Sequence, residues 1–186
     1  GGDGGHGQLH ATMRTDERVV CREGVNARSL TAEDLTEHYR RAVHVKNGGE
    51  GDGEEFVEGN LGEAGGEDDD FNPLFDFLTG DLSFISLTLV LPAVARLLKA
   101  DGQLLMLVKP QFELQPGQIG KGGIVRDPAH FEFVEKRLRD TCAEVGVDVL
   151  GWMESAIEGG DGKREFFIHG KKQHNVAAED KPPAAA

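Results

Sequence analysis

Two ionisable side chains follow apolar segments in this sequence and are its best candidates for catalysis. Asp81 comes after the partly apolar segment 71–78, and Lys109 follows the apolar run Gln103–Val108. The order strand, helix, strand predicted for this stretch places both residues near the carboxyl ends of two parallel strands. The helix is predicted to stop at Asp101-Gly102, and its apolar positions are Leu87, Leu91, Val94 and Leu98. The carboxyl edge is where ligands bind in open α/β sheets.

The rest of the chain continues this alternation of helices and strands. Asp127-Pro128 predicts a helix start, because it combines a capping acid with proline at the first helical position, and Gly146 ends that helix. Val147–Met153 and Arg164–His169 are the next strand candidates. The pattern predicts an α/β sheet that is mostly parallel and closes with a hairpin-like pair at one edge.

Glu165 lies within the last predicted strand, next to its start, and joins Asp81 and Lys109 as a candidate. For any single acid, an ordinary ion pair is the commoner role. Three ionisable groups at strand ends of one sheet favour a common site. The seven histidines and two cysteines show no metal-ligand spacing, so we expect no metal there.

The glycine-rich stretch Gln115–Val125 contains a Gly-Lys step, which is typical of phosphate-binding loops. Gly122 stands where such a loop has the serine or threonine that binds magnesium, so that interpretation fails. Two alternatives remain equally open. The stretch is either an ordinary surface loop or a mobile loop beside the site, in which Lys121 and Arg126 contact phosphate groups.

The first 45 residues give weaker signals. Residues 1–10 are glycine-rich, and a linker is as good an interpretation as a folded segment. Arg18–Arg22 predicts a short strand. Thr31 and Asp34 predict the capped start of a helix that continues weakly to about Val45.

Residues 46–72 contain eight glycines and ten acidic residues in 27 positions. Such a segment buries too little apolar surface to offset its ordering entropy, so we predict disorder there and in the tail 171–186. The whole chain has a net charge of −13, whereas the chain without this segment has 23 acidic and 19 basic residues, a net charge of −4. The acidity therefore belongs to an insert, for which a solvated surface loop is favoured over a regulatory role.

Cysteine content and hydropathy indicate where such a protein works. Cys21 and Cys142 form no disulfide framework and indicate a reducing, intracellular compartment, cytoplasmic or organellar. No apolar run reaches the roughly 20 residues that a membrane-spanning helix needs. We therefore expect no membrane partner.

Several motifs occur in one order: DLSFISL at 81–87, VKPQFE at 108–113, GKGGIVRDP at 120–128 and GKREF at 162–166. EGVNARSL at 23–30 and the glycine-rich start belong to the same series. Together they resemble the TlyA/hemolysin A group of FtsJ-like RNA 2′-O-methyltransferases. The resemblance covers roughly residues 1–35 and 74–170, so residues 1–170 are expected to form a methyltransferase domain interrupted by the insert.

The resemblance implies a Rossmann-like methyltransferase sheet, S-adenosyl-L-methionine as methyl donor and ribosomal RNA as substrate. It assigns Asp81, Lys109 and Glu165 to a catalytic Lys-Asp-Lys-Glu tetrad, and it places Phe84 beside the donor and target pocket. The residues expected to contact the donor are Asp3, Glu23, Asn26, Asp81 and Ser83.

The sequence also departs from the family pattern. The family's first strand, its glycine-rich donor loop and its first tetrad lysine would precede Gly1. We therefore expect an incomplete sheet, and little activity from these 186 residues alone. Lys163 replaces the asparagine that usually stands near Glu165. A noncatalytic RNA- or ribosome-binding module is the alternative function, and a nucleotide-dependent oxidoreductase is a third interpretation.

Overall fold

The computed structural model describes residues 25–37 and 73–174, together with residues 12, 16, 19 and 39. The chain divides into two units, residues 1–73 and 74–186. The predicted strand at 18–22, apart from Val19, lies outside the described residues. So do the insert 46–72 and the tail from residue 175.

In the first unit, residues 32–37 are helical, and the start of this segment has reciprocal side-chain caps. The Thr31 hydroxyl accepts a hydrogen bond from the Asp34 N–H (3.2 Å). The Asp34 carboxylate accepts from the Thr31 N–H (3.0 Å) and hydroxyl (2.8 Å). These bonds satisfy backbone donors that a helix leaves open at its first turn, so the predicted cap is confirmed.

The second unit contains four strands and two α-helices within residues 73–174, joined in part by short 3₁₀ turns. They are β1 Phe75–Asp81, α1 Leu87–Leu97, β2 Leu98–Val108, α2 Pro128–Glu144, β3 Val147–Glu154 and β4 Phe166–Lys172.

The strands form one mixed sheet in the order β1-β2-β4-β3. β1 and β2 are parallel, and the closing β3–β4 hairpin is confirmed. The prediction of a mostly parallel sheet is wrong for the described strands, because β4 inserts between β2 and β3 and runs antiparallel to both. β4 also continues through Lys172, two residues into the range predicted as a tail.

The boundary between α1 and β2 differs from the prediction. The helix ends at Leu97, and Leu98 is already extended and pairs with Phe75 in β1. Asp101-Gly102 does not end the helix but lies inside β2, where the register with β1 shifts. A Cβ on Gly102 would approach the Phe75 and Lys99 carbonyl oxygens to 2.9 Å, so this irregularity needs glycine.

One hydrophobic core joins both helices to the sheet. Buried and partly exposed residues alternate along the second half of β2 and along most of β4, the pattern of strands with one face against a core. Large fully buried side chains come from both helices and both central strands, among them Leu91, Leu104, Leu138 and Ile168. This packing holds the carboxyl ends of β1 and β2 side by side.

Helix α2 begins as predicted. The Asp127 carboxylate accepts a hydrogen bond from the Ala129 N–H (2.9 Å), and Pro128 occupies the first helical position. Such a cap stabilises a helix by about 1 kcal/mol. It fixes the point at which the chain leaves the 115–125 stretch and returns to the core.

Candidate active site

The backbone register brings the three predicted catalytic residues to one edge of the sheet. Asp81 ends β1 opposite Leu107 of β2, and Lys109 directly follows β2. Phe166 begins β4 opposite Val108, so Glu165 lies across from Lys109 one position beyond the last pair. The three strand ends therefore lie at one edge of the sheet, as expected. β1 and β2 reach this edge with their carboxyl ends, whereas β4 reaches it with its amino end.

Lys109 makes the central contacts of this edge. Its Nζ lies 2.6 Å from Asp81 Oδ1 and donates a hydrogen bond to the Ser83 hydroxyl (3.0 Å). The Lys109 side chain is only 15% exposed, whereas that of Asp81 is 67% exposed. A largely buried lysine side chain thus pairs with an exposed carboxylate, an arrangement that can bind and polarise a ligand placed beside the pair.

Glu165 is half-buried at the same edge but is not bonded to the other two side chains. Its carboxylate packs over Gly159, where a side chain of any size would overlap it. Its carbonyl accepts from the Ser155 N–H (2.8 Å). Within residues 73–174, Lys109 thus contacts Asp81 and Ser83 directly, and Glu165 is near them by register alone.

Phe84 stands beside this group in an unusual conformation. Its φ is 64°, in the left-handed region that bulky residues rarely adopt, and its side chain is 89% exposed. Its ring contacts that of Phe112, with centroids 5.1 Å apart. The fold therefore holds an exposed aromatic ring at this edge of the sheet at a cost in backbone strain.

The 115–125 stretch forms a compact turn and carries Lys121. Gly120 donates to the Ile124 carbonyl (2.9 Å), and Gly122 and Gly123 have φ of 76° and 80°. Glycine at residue 122 therefore serves the turn conformation, in line with the rejected phosphate-loop interpretation. Lys121 and the following Arg126 are exposed, and neither bonds to Asp81, Lys109 or Glu165.

Comparison with known proteins identifies the family of the chain. The family model for FtsJ-like methyltransferase matches residues 1–172. The chain belongs to the FtsJ-like methyltransferase family.

Within that family, its relatives belong to the TlyA/hemolysin group. The 16S/23S rRNA (cytidine-2′-O)-methyltransferase TlyA of Mycobacterium tuberculosis is 33% identical over 96% of this chain and 53% of its own length. YqxC of Bacillus subtilis is 35% identical over 90% of this chain and 47% of its own length. The chain therefore spans about half the length of these curated relatives.

Two solved structures share the fold. A protein described as a hemolysin from Streptococcus thermophilus is 34% identical, with a TM-score of 0.68 over 91% of this chain and 48% of its own. Another from Lactococcus lactis is 31% identical, with a TM-score of 0.65 over 89% of this chain and 62% of its own. No helix among the described residues of the present chain is long and apolar enough to cross a membrane.

The FtsJ-like resemblance also named donor-binding residues in the first unit. Asp3 and Glu23 lie outside the described residues. Asn26 forms a local turn in which its Oδ1 accepts from the Arg28 N–H (3.0 Å) and its carbonyl accepts from the Ser29 N–H (3.1 Å). Their contact with a donor stays a prediction.

Arg164 directly precedes Glu165 and was not predicted as a site residue, yet it holds the start of β4 in place. Its guanidinium donates two hydrogen bonds to the Glu154 carboxylate (2.5 and 2.8 Å) and lies 4.6 Å from the centre of the Phe131 ring. The bond to Arg164 lowers the pKa of Glu154. The start of β4 is thereby tied to β3 and to α2, which limits where Glu165 can move.

Glu113 was also missed. It is the one buried charged residue in the core of the second unit as described, with a side chain 4% exposed. Its carboxylate accepts from the Ser86 hydroxyl (2.5 Å) and the Leu87 N–H (2.7 Å). The sequence signal was an acid in the VKPQFE motif, but its partners, 26 and 27 positions away, cannot be read from spacing.

Proposed function

We propose that the protein is an S-adenosyl-L-methionine-dependent methyltransferase that acts on ribose 2′-hydroxyls of ribosomal RNA. The observation that carries this proposal is the largely buried Lys109 side chain, whose ammonium group is held by Asp81 and Ser83 at the carboxyl edge of the sheet. Family membership and the rRNA methyltransferase TlyA among the relatives support the same reaction. The four described strands would be part of a larger Rossmann-like sheet, with a further strand pairing to the outer edge of β1.

Lys109 is the proposed proton-handling group. Methyl transfer to a ribose requires the 2′-hydroxyl to lose its proton as its oxygen attacks. An ammonium beside that oxygen stabilises the developing negative charge, and the amine form can take the proton. Asp81 and Ser83 hold the Lys109 side chain in one direction, and Glu165 would complete the tetrad from β4. Such positioning lowers barriers by several kcal/mol in general, about 7 or more in the best cases.

The described residues fit the donor chemically. Asp81 uses one oxygen for Lys109 while two thirds of its side chain stays exposed, so it can still accept hydrogen bonds from a ligand amine or hydroxyl. Ser83 adds a hydroxyl beside it. Asp81, Ser83 and Asn26, with Asp3 and Glu23, are the proposed donor contacts. When bound, the donor supplies a methyl group on a positively charged sulfur, and no metal is needed.

The target RNA would be held by an aromatic ring and by cations. Unpaired RNA bases commonly stack on exposed aromatic side chains, and Phe84 offers such a ring beside Lys109. Lys121 and Arg126 would contact phosphates, which adds affinity without sequence preference. The free thiol of Cys142 fits a reducing interior, cytoplasmic or organellar, where ribosomal RNA is found.

The test compares Lys109, which directly follows β2, with Lys99, which lies near the start of β2. Lys109→Ala in the complete gene product that contains this chain should abolish methyl transfer to ribosomal RNA from a labelled donor. Lys99→Ala is the matched control, because Lys99 pairs with Asp76 at the other end of the same strand pair (3.0 Å). Retained transfer in Lys109→Ala would refute the assignment. RNA binding without any transfer by the unmodified protein would support the noncatalytic binding module instead.

A further inference from the structure

Two segments at the catalytic edge contact each other at three points. We name residues 82–86 the β1 loop and residues 109–113 the β2 turn. Lys109 bonds to Ser83 and to Asp81, Phe112 contacts Phe84, and Glu113 bonds to Ser86 and Leu87. Two of these contacts involve exposed groups, whereas the third is buried. Glu113 is thus the contact that solvent competes with least.

Glu113 holds the start of helix α1. Its Oε1 accepts from the Leu87 N–H (2.7 Å), a donor in the first helical turn, and its Oε2 accepts from the hydroxyl of the N-cap Ser86 (2.5 Å). Charge-assisted bonds of this kind are about twice as strong as neutral ones. The helix N-terminus also favours a negative charge. The point at which the β1 loop enters α1 is therefore fixed by a residue of the β2 turn.

The β2 turn is itself anchored. The Glu113 N–H donates to the Pro110 carbonyl (3.0 Å), which closes the 3₁₀ turn. Arg137 of α2 donates to the Glu113 carbonyl (3.0 Å). Because the turn is held from the core side, Glu113 transmits that fixed position to the β1 loop and to Ser83 and Phe84 within it.

Because Glu113 is buried, its charged form depends on the hydrogen bonds from Ser86 and Leu87. Burial raises the pKa of Glu113, against the lowering effects of its bonds to Ser86 and Leu87. An unpaired buried carboxylate is strongly disfavoured, so the charged group is tolerated only while both donors are in place. A displaced β1 loop would leave Glu113 without them. This favours one loop conformation over alternatives.

We propose that Glu113 is a positioning residue for the methyl-transfer site, which fixes the β1 loop so that Ser83 and Phe84 stay beside Lys109. This inference rests on the proposed function. Glu113 touches neither the substrate nor the reacting atoms in this role. It acts through the loop, and the loop sets how Lys109 is oriented.

The first test separates positioning from stability. Glu113→Ala removes both acceptors, Glu113→Gln keeps an acceptor for the Leu87 N–H, and Val147→Ala weakens the core at the opposite end of the sheet. In the complete gene product, Glu113→Ala should lower kcat per folded molecule about 10- to 100-fold. Glu113→Gln should restore most of kcat, and Val147→Ala should lower only the unfolding midpoint.

Two results would overturn the proposal. One is a Glu113→Ala kcat equal to that of Val147→Ala, and the other is a Glu113→Gln variant as inactive as Glu113→Ala. If Glu113→Ala does not fold, Ser86→Ala replaces it, because it removes one of the two donors to Glu113. A smaller kcat loss is then expected, because the Leu87 N–H still bonds to Glu113, and an unchanged kcat would refute the role.

Amide hydrogen exchange gives a readout that needs no activity. In Glu113→Ala, exchange should quicken in residues 82–88 but not at the other end of the sheet, whereas Val147→Ala should show the reverse. Unchanged exchange in residues 82–88 would refute the anchor itself. An unmodified protein that folds but transfers no methyl group would instead refute the proposed function, so the two failures are distinguishable.

Discussion

At the level of single residues, two lysine–aspartate pairs join the same two strands in different surroundings. Lys99 and Asp76 are 41% and 85% exposed, and pairs of this kind contribute about 0–1 kcal/mol. Lys109 is shielded and has a second acceptor in Ser83. The pair at the amino end of β1 is therefore a solvated surface contact. The pair at its carboxyl end is the one we propose to act on a ligand, and the residue types alone do not distinguish the two pairs.

Phe84 combines strain with exposure, and its replacement should separate binding from stability. Its left-handed φ costs about 1–3 kcal/mol, and its contact with Phe112 returns about 0.5–1.5 kcal/mol. Asparagine tolerates the conformation but lacks the ring. Phe84→Asn should therefore change the free energy of unfolding by between about −0.5 and about +2.5 kcal/mol, and it should weaken RNA binding about 5- to 100-fold, the loss of one stacked base.

Chemical unfolding and RNA titration measure the two effects. Phe133→Ala is the control, because Phe133 is also exposed but lies on α2. Undiminished RNA affinity in Phe84→Asn would show that the ring is not a binding surface.

The buried Glu113 carboxyl should leave a signature in the pH dependence of stability. Burial raises the native pKa of Glu113 above the usual 4.5. At pH values between the unfolded and the native pKa, the native state therefore binds more protons than the unfolded state. The free energy of unfolding then falls as pH rises from the unfolded to the native pKa. Glutamine does not titrate, so Glu113→Gln should become more stable relative to the unmodified protein as pH rises across that window. Urea unfolding over a pH series checks this, and a difference independent of pH would contradict it.

At the level of elements, the turn between β3 and β4 sets the place of Glu165. Gly159 has φ −66°, so its backbone suits alanine, yet a methyl group there would overlap the Glu165 carboxylate. Gly159→Ala should therefore lower methyl transfer about tenfold or more by displacing Glu165, with a small change in stability. Gly160→Ala is the matched control because a Cβ there meets no atom within 4 Å. Equal activity of the two variants would argue against a role for Glu165.

The elements also show what local sequence signals can and cannot predict. The caps at Thr31 and Asp127 were predicted correctly, since a side chain and a backbone donor two or three positions away decide them. The end of α1 was not, because Leu98 has the spacing of a helix but pairs with Phe75 of another strand. The Asp101-Gly102 signal did mark a break in regular backbone. Its place inside a strand depends on the approach of β1.

At the level of the whole molecule, the sequence predicted which strand ends share an edge of the sheet more reliably than how the strands run. Asp81, Lys109 and Glu165 were assigned to strand ends, and the register places them at one edge. The direction of β4 depends on which neighbour accepts its hydrogen bonds, which apolar periodicity does not encode. Glu113 was not predicted as a site residue for a similar reason, because its hydrogen-bond partners lie in a distant segment of the sequence.

The charge of the whole chain leads to a final prediction about RNA affinity. Residues 46–72 contribute ten acidic groups and Lys46, so their removal changes the net charge from −13 to −4. RNA binding is weakened by like charge and depends on salt. Deletion of residues 46–72 should therefore tighten RNA binding at low salt, and the gain should shrink as added salt screens the charges. The unfolding midpoint of the second unit should stay the same.

A variant that replaces residues 46–72 with an uncharged glycine-serine linker of equal length controls for chain length. It should bind RNA as tightly as the deletion variant, because the two share a net charge of −4. Titration with labelled RNA over a salt series measures both. If the linker variant instead keeps the affinity of the unmodified chain while the deletion gains, the length of the insert obstructs RNA rather than its charge. If neither variant gains affinity at low salt, the acidic segment does not act on RNA binding at all.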